Sequence, residues 1–182
     1  MTNLVTDTTN ILQEIMETKP AIVGIDGIDG VGKTPIAKDI EKLGYIRISL
    51  DDYLRKKSGG YYEFINFDKL KNKLLVNVGR LIVIEGVLLQ KILEKIQVKV
   101  NYLIYATNSV WIYDWSDEWQ GKYSTMSLEE IIKDTEQVAS RVSKAIDPSA
   151  HPYKMGGLRR EIYEYTFHYK PWKKAQIIFR SN

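Results

Sequence analysis

The sequence predicts a three-layer α/β domain with a five-stranded parallel sheet and helices on both faces. Three observations lead there. Five apolar runs, at 21–25, 45–50, 81–84, 102–106 and 175–179, are continuous instead of alternating, as in strands buried on both sides. Segments with apolar residues at helical spacing separate them. Strand followed by helix, repeated along the chain, then requires right-handed crossovers and a sheet covered on both faces.

The elements follow in order. Residues 8–17, within an N-terminal helical segment over 1–19, put Ile11, Leu12, Ile15 and Met16 on one face before Pro20 stops the helix. Strand 21–25 leads into a glycine-rich turn and a helix over 36–43. Strand 45–50 is followed by a helix over 67–78, strand 81–84 by a helix over 87–96, and strand 102–106 by a variable stretch over about 108–157. That stretch holds a helix over 128–146 with Ile131, Ile132, Val138 and Val142 on one face. Tyr163, Tyr165, Phe167 and Tyr169 alternate as a strand would, but Leu158, Ile162, Tyr165 and Tyr169 fit a helix ending before Pro171, and the helix is preferred. Strand 175–179 closes one domain over 1–182.

Composition narrows the function classes. The chain has 182 residues, 44% hydrophobic and 27% charged, the balance of a soluble globular domain. A net charge of +3, spread without runs of one sign, points to neither nucleic acid nor membrane as partner. With no cysteine, disulfides, thiolate catalysis and cysteine-held zinc are excluded. His151 and His168 stand far apart, which argues against a histidine metal site. No apolar run nears the roughly 20 residues a bilayer requires. The N-terminal residues lack the basic start and apolar core of a secretory signal, so a cytoplasmic location is expected.

Ligands of such sheets sit beyond the carboxyl ends of the strands, here just after residues 26, 50, 85 and 106. After the first strand, Gly27-Ile28-Asp29-Gly30-Val31-Gly32-Lys33-Thr34 satisfies G-x-x-x-x-G-K-[ST] in full. Glycines let the loop curl so that its N–H groups face an anion at a helix N-terminus. The candidate nucleotide-binding residues are therefore Gly27, Asp29, Gly30, Val31, Gly32, Lys33 and Thr34. Lys33 reaches the outer phosphates, and the Thr34 hydroxyl is placed for Mg²⁺. Pro35 follows at once, and it removes an N–H group where orphan N–H groups are the ligands. The nearest match to the guanine-reading motif N-K-x-D is Asn72-Lys73-Leu74-Leu75, which has no aspartate, so a GTPase is disfavoured. A small-molecule kinase remains.

Acidic groups stand at the next two strand ends. Asp51 and Asp52 close the second; one could take or orient a substrate hydroxyl's proton, or they could simply cap a helix. Neighbouring residues point opposite ways, so the two carboxylates do not share one role. Glu85 closes the third strand and is a candidate Mg²⁺ ligand beside Thr34. A buried glutamate needs a cationic partner.

GIDGIDGVGKT, SLDDYL, LIVIEGVLLQ and, more weakly, KPWKKAQIIF resemble the uridine kinase-like family of P-loop phosphotransferases. The similarity runs over most of 20–108 and returns at 165–180. It implies a P-loop fold, ATP and Mg²⁺, and a small hydroxyl compound as acceptor. It also implies that Asp51 is the catalytic base beside Lys33, and that Asp68, in Asn66-Phe67-Asp68, binds sugar hydroxyls; a helix start explains Asp68 equally well. Asp52, Tyr53, Tyr61 and Tyr62 stand where acceptor contacts would be built, the rings either stacking on the acceptor or packing a loop.

The family's lid arginines after the fourth strand are missing. Residues 108–119 contain no lysine or arginine, which leaves Arg141, Arg159 and Arg160, or Lys122 and Lys144, to serve, or leaves transfer impaired. Trp111, Trp115 and Trp119 form a stripe that packs on the core or on a second copy in a homodimer, or else lines a lid. The expected activity is ATP-dependent phosphoryl transfer to a hydroxyl of a nucleoside or similar metabolite. The rivals are a nucleoside monophosphate kinase, for which the chain lacks an Asp-Arg pair after the second strand, and a nucleotide-binding sensor or scaffold that has lost catalysis.

Overall fold

The computed structural model describes residues 3–55, 60–108 and 121–181. Its strands are β1 (Asn3–Val5), β2 (Ile22–Gly27), β3 (Ile46–Ser49), β4 (Ile82–Glu85), β5 (Tyr102–Asn108) and β6 (Ile177–Ser181). They form one sheet in the order β1-β6-β5-β2-β4-β3, with every pairing parallel. The expected sheet of five strands is therefore corrected to six. The added strand is β1, an edge strand of three residues in register with Ile177, Ile178 and Phe179. Three residues are too few for any periodicity to show, and only the pairing with β6 makes them a strand.

The helices are α1 (Thr8–Thr18), α2 (Lys33–Glu41), α3 (Phe67–Leu75), α4 (Leu89–Lys95), α5 (Leu128–Ile146), α6 (Gly157–Tyr169) and the short α7 (Pro171–Lys174). Two apolar clusters occupy the two faces of the sheet. Val23, Ile25, Val83, Ile104 and Ala106 pack with Ile11, Ile15, Ile36 and Ile40 of α1 and α2. Ile48, Ile82, Ile84, Leu103 and Tyr105 pack with Leu89, Ile92, Tyr163, Tyr165 and Trp172. Consecutive strand residues thus serve opposite clusters, which is why the strands read as unbroken apolar runs.

Element ends follow local chemistry. Asp7 caps α1 by accepting from Thr9 N–H, and a full capping box between Ser127 and Glu130 starts α5. α2 begins three residues earlier than expected, because the phosphate-loop motif itself forms its first turn. α3 stops at Leu75 and not at 78: the Asn77 amide donates to Lys73 C=O, and Gly79 turns the chain at φ +83°. α4 starts at Leu89, after Leu88 takes a left-handed conformation at φ +56°. The segment before Pro171 is helical and buries Tyr163 and Tyr165. β6 begins after Gln176, whose side-chain oxygen accepts from Leu103 N–H at 2.6 Å and whose own N–H donates to Leu103 C=O. The tryptophan stripe and all but the first residue of the arginine-free stretch lie outside the described residues. Among the described residues, no helix is long and apolar enough to cross a membrane.

Candidate functional site

β2 pairs on one side with β4 and on the other with β5, so the loop after Gly27 emerges where the strand order diverges. Gly30 and Gly32 take φ of +76° and +85°, which curl the loop into the N-terminus of α2. Asp29 accepts from Gly30 N–H at 2.9 Å. Lys33 is the first residue of α2; it is 8% exposed, and its ammonium donates to Ile28 C=O at 2.6 Å. Burial pushes the Lys33 ammonium below its ordinary value, opposed by the charges of Asp26, Asp29, Glu85 and Asp51.

The loop forms one wall of a cavity of about 520 Å³ at the carboxyl ends of β2, β3 and β4. Asp29, Gly30, Val31, Gly32, Lys33, Thr34 and Pro35 line that side, and Asp51, Leu54, Gly60, Tyr61, Glu85, Gly86, Val87 and Leu158 line the rest. Glu85 is 3% exposed and accepts from the Thr34 hydroxyl at 3.2 Å. The cation expected beside it is present as Arg47, 3.3 Å away on β3, so burial of Glu85 does not by itself require a metal. Among the described residues, no group of three or more acidic or imidazole side chains could hold a metal ion. A hydroxyl and one carboxylate beside a glycine-rich loop at a helix N-terminus would instead suit Mg²⁺, which keeps most ligands as water and substrate phosphates.

Asp51 opens a 3₁₀ turn over Leu50–Tyr53, and its Oδ1 accepts from the Tyr61 hydroxyl at 2.6 Å. The two residues meet because residues 54–55 run back against residues 64–65. A bridge joins Leu54 to Ile65, and Arg55 N–H donates to Phe64 C=O. Burial, together with the Asp51, Glu85 and Asp29 charges, pushes the Tyr61 phenol far above its ordinary value, so it stays a donor.

The other expected acceptor contacts lie elsewhere. Asp52 is exposed next to the cavity wall, and Asp68 is exposed in the first turn of α3, behind its N-cap Asn66. Tyr53 is buried under the Lys69 ammonium. Tyr62 meets Phe67 edge-on at 5.3 Å and carries the Lys91 ammonium over its ring. Of the lid candidates, Arg141 is exposed on α5, Arg159 lies over the Tyr153 ring, and Arg160 pairs with Glu164 at 2.9 Å. None of these residues lines the cavity.

The sequence reading missed one face of α6. Leu158 lines the cavity, Glu161 accepts from the N–H groups of Tyr61 (3.0 Å) and Tyr62 (2.8 Å), and Tyr165 donates to Asp26 Oδ2. Positions 158, 161 and 165 fall on one side of a helix. Asp26 is fully buried at the root of the glycine-rich loop and also accepts from Gly27 N–H at 2.8 Å. An acid after apolar strand residues is the same signal that marked Glu85, so Asp26 was detectable; nothing near Glu161 in sequence hints at a partner 100 residues away.

Burial pushes the Asp26 carboxyl above its ordinary 3.8, against the hydrogen bonds from Tyr165 and Gly27 and the Lys33 charge. The folded chain therefore holds that proton more tightly than the unfolded chain. The resulting stability is full below pH 3.8 and is lost as the pH rises through the folded-state value. Asp26→Asn keeps an acceptor for Gly27 N–H and cannot ionise. Its melting temperature should stand higher against that of the wild type at neutral pH than at pH 4. A melting difference independent of pH would contradict the assignment.

No family model matches the chain, and no curated protein matches it in sequence. Among solved structures, it is similar to that of a possible uridine kinase from Bacillus stearothermophilus, with 14% identity and a TM-score of 0.51 over 94% of this chain and 96% of that one. The likeness supports a P-loop kinase-like fold.

Proposed function

We propose that the chain is an ATP-dependent phosphotransferase that moves the γ-phosphoryl group to a hydroxyl of a small molecule, a nucleoside or similar metabolite. One observation carries this reading: a single cavity brings Lys33, Thr34 and Glu85 together with Asp51. Lys33 and the loop amides hold the outer phosphates, and Thr34 and Glu85 would hold Mg²⁺, which would neutralise charge on the phosphates. Asp51 takes or orients the acceptor's proton. The fold likeness to a possible uridine kinase adds support for the nucleoside class.

A steady-state comparison tests the roles separately. Asp51→Asn should lower transfer from Mg·ATP by about 10²–10⁴-fold while ATP affinity stays within about two-fold of wild type. Undiminished transfer would remove Asp51 from the chemistry.

The second reading, a nucleotide-binding sensor without catalysis, is favoured by the Arg47–Glu85 ion pair, which already engages one oxygen of the carboxylate assigned to Mg²⁺. Pro35, the third residue of α2 and part of the cavity wall, weakens the grip on phosphate under either reading. A hydrogen bond to a charged group is worth about 1.5–3 kcal/mol, so Pro35→Ser should tighten Mg·ATP binding by about 10- to 100-fold in calorimetry. Unchanged affinity would mean that no amide is missed there.

A further inference from the structure

The structure assigns Tyr61 and Glu161 as positioning residues that aim Asp51 from helix α6. This rests on the phosphotransferase reading and gives Tyr61, expected as an acceptor contact, and Glu161 a different role in it. Asp51 is an exposed side chain at the cavity edge, so packing alone does not fix its carboxylate. The Tyr61 hydroxyl fixes it by donating to Oδ1 at 2.6 Å, and Oδ2 is then the oxygen through which Asp51 meets an acceptor. Tyr61 is 4% exposed, and its backbone is held in turn. The Glu161 carboxylate spans the N–H groups of Tyr61, at 3.0 and 3.2 Å, and of Tyr62, at 2.8 Å.

Gly60 shows how closely that carboxylate is seated. A Cβ at position 60 would lie 2.7 Å from Glu161 Oε1, and its backbone is not in the left-handed region. Gly60→Ala is therefore conformationally allowed, and its cost falls first on the tip of Glu161 and then on that of Glu63, 3.1 Å from the added Cβ. One turn further along α6, Tyr165 holds Asp26. The same helix face thus touches Tyr61 on the cavity wall and Asp26 at the root of the loop, and the base is aimed only while α6 is docked.

The test is steady-state transfer from Mg·ATP to the best acceptor among uridine, cytidine, adenosine and ribose. Tyr61→Phe should lower kcat by about 10- to 100-fold, with the KM for ATP within about two-fold and Tm within about 3 °C of wild type. Glu161→Ala and Gly60→Ala should lower kcat in the same way, and Glu161→Gln, which keeps one accepting oxygen, should recover part of the loss. The double variant Tyr61→Phe/Glu161→Ala should be no slower than Tyr61→Phe, because both changes cut one chain of contacts. Multiplying losses would overturn the relay. If the α6 and Gly60 variants do not fold, Tyr61→Phe decides alone. Transfer that depends on Lys33 and Asp51 but is unchanged by Tyr61→Phe overturns this inference only. No transfer by the wild type to these or to any other nucleoside, nucleotide or sugar, with ATP bound, overturns the phosphotransferase reading and the relay with it.

Discussion

Replacing Lys33 with alanine is expected to lower phosphoryl transfer from Mg·ATP by about 10³-fold. Transfer of a phosphoryl group offers a protein little covalent chemistry, so a fixed cation aimed at the outer phosphates carries much of the rate. Lys33 is the cation proposed for that role. Its ammonium is held by Ile28 C=O inside the curl of the loop, and burial keeps water from screening it. Burial also favours loss of its proton, but Asp26, Asp29, Glu85 and Asp51 all act to retain it. The fold does not depend on the side chain: Lys33→Ala removes a desolvated charge and adds a strong helix former to α2, so Tm should stay within about 3 °C. Stopped transfer with an unchanged melting curve is the expected pair of results; transfer near the wild-type rate would show that phosphate is not held here.

Gly27→Ala is expected to produce the largest loss of stability. A Cβ at Gly27 would sit 2.2 Å from Ala106 C=O, a backbone atom of the neighbouring strand, at φ +146°. No rotamer relieves that overlap. β2 and β5 pair through Gly27 and Ala106 at this point, so the two central strands must separate or the loop must change course. Overpacking costs about 1–3 kcal/mol and a disallowed backbone conformation about 1–3 kcal/mol more, so the loss should be about 2–6 kcal/mol. Chemical denaturation should show it as a lower midpoint with an unchanged slope. Nucleotide binding should fall with it, because Gly27 N–H also anchors the loop to Asp26. A midpoint within about 0.2 M urea of the wild type, with a typical slope of 1–3 kcal/mol per M, would refute the overlap.

Most of the architecture was legible because its signals are local. Five of the six strands are apolar runs, and α5 announces itself through Ile131, Ile132, Val138 and Val142 at helical spacing. β1 was not legible, since the residues Asn3-Leu4-Val5 become a strand only by pairing with Ile177–Phe179. At the candidate site, the placing of the loop, Asp51 and Glu85 on one cavity was legible because each lies at a strand end. Arg47 and Glu161 were not. Each acts on a residue distant in sequence, Arg47 on Glu85 and Glu161 on Tyr61, and distance in the chain leaves no periodicity to read. The tyrosines show the limit of a local reading. Tyr53, Tyr61 and Tyr62 look alike in sequence, yet the fold-back at Leu54 and Ile65 sends only Tyr61 to the cavity wall.

The most direct test is to incubate the wild-type chain with γ-labelled Mg·ATP and a panel of nucleosides, nucleotides and sugars, then follow the label. The account predicts that label moves to a hydroxyl of a small acceptor, and that Lys33→Ala and Asp51→Asn each stop it. Tight binding of ATP with no label transferred to any acceptor would contradict it, and would instead identify a nucleotide-binding protein without phosphotransfer.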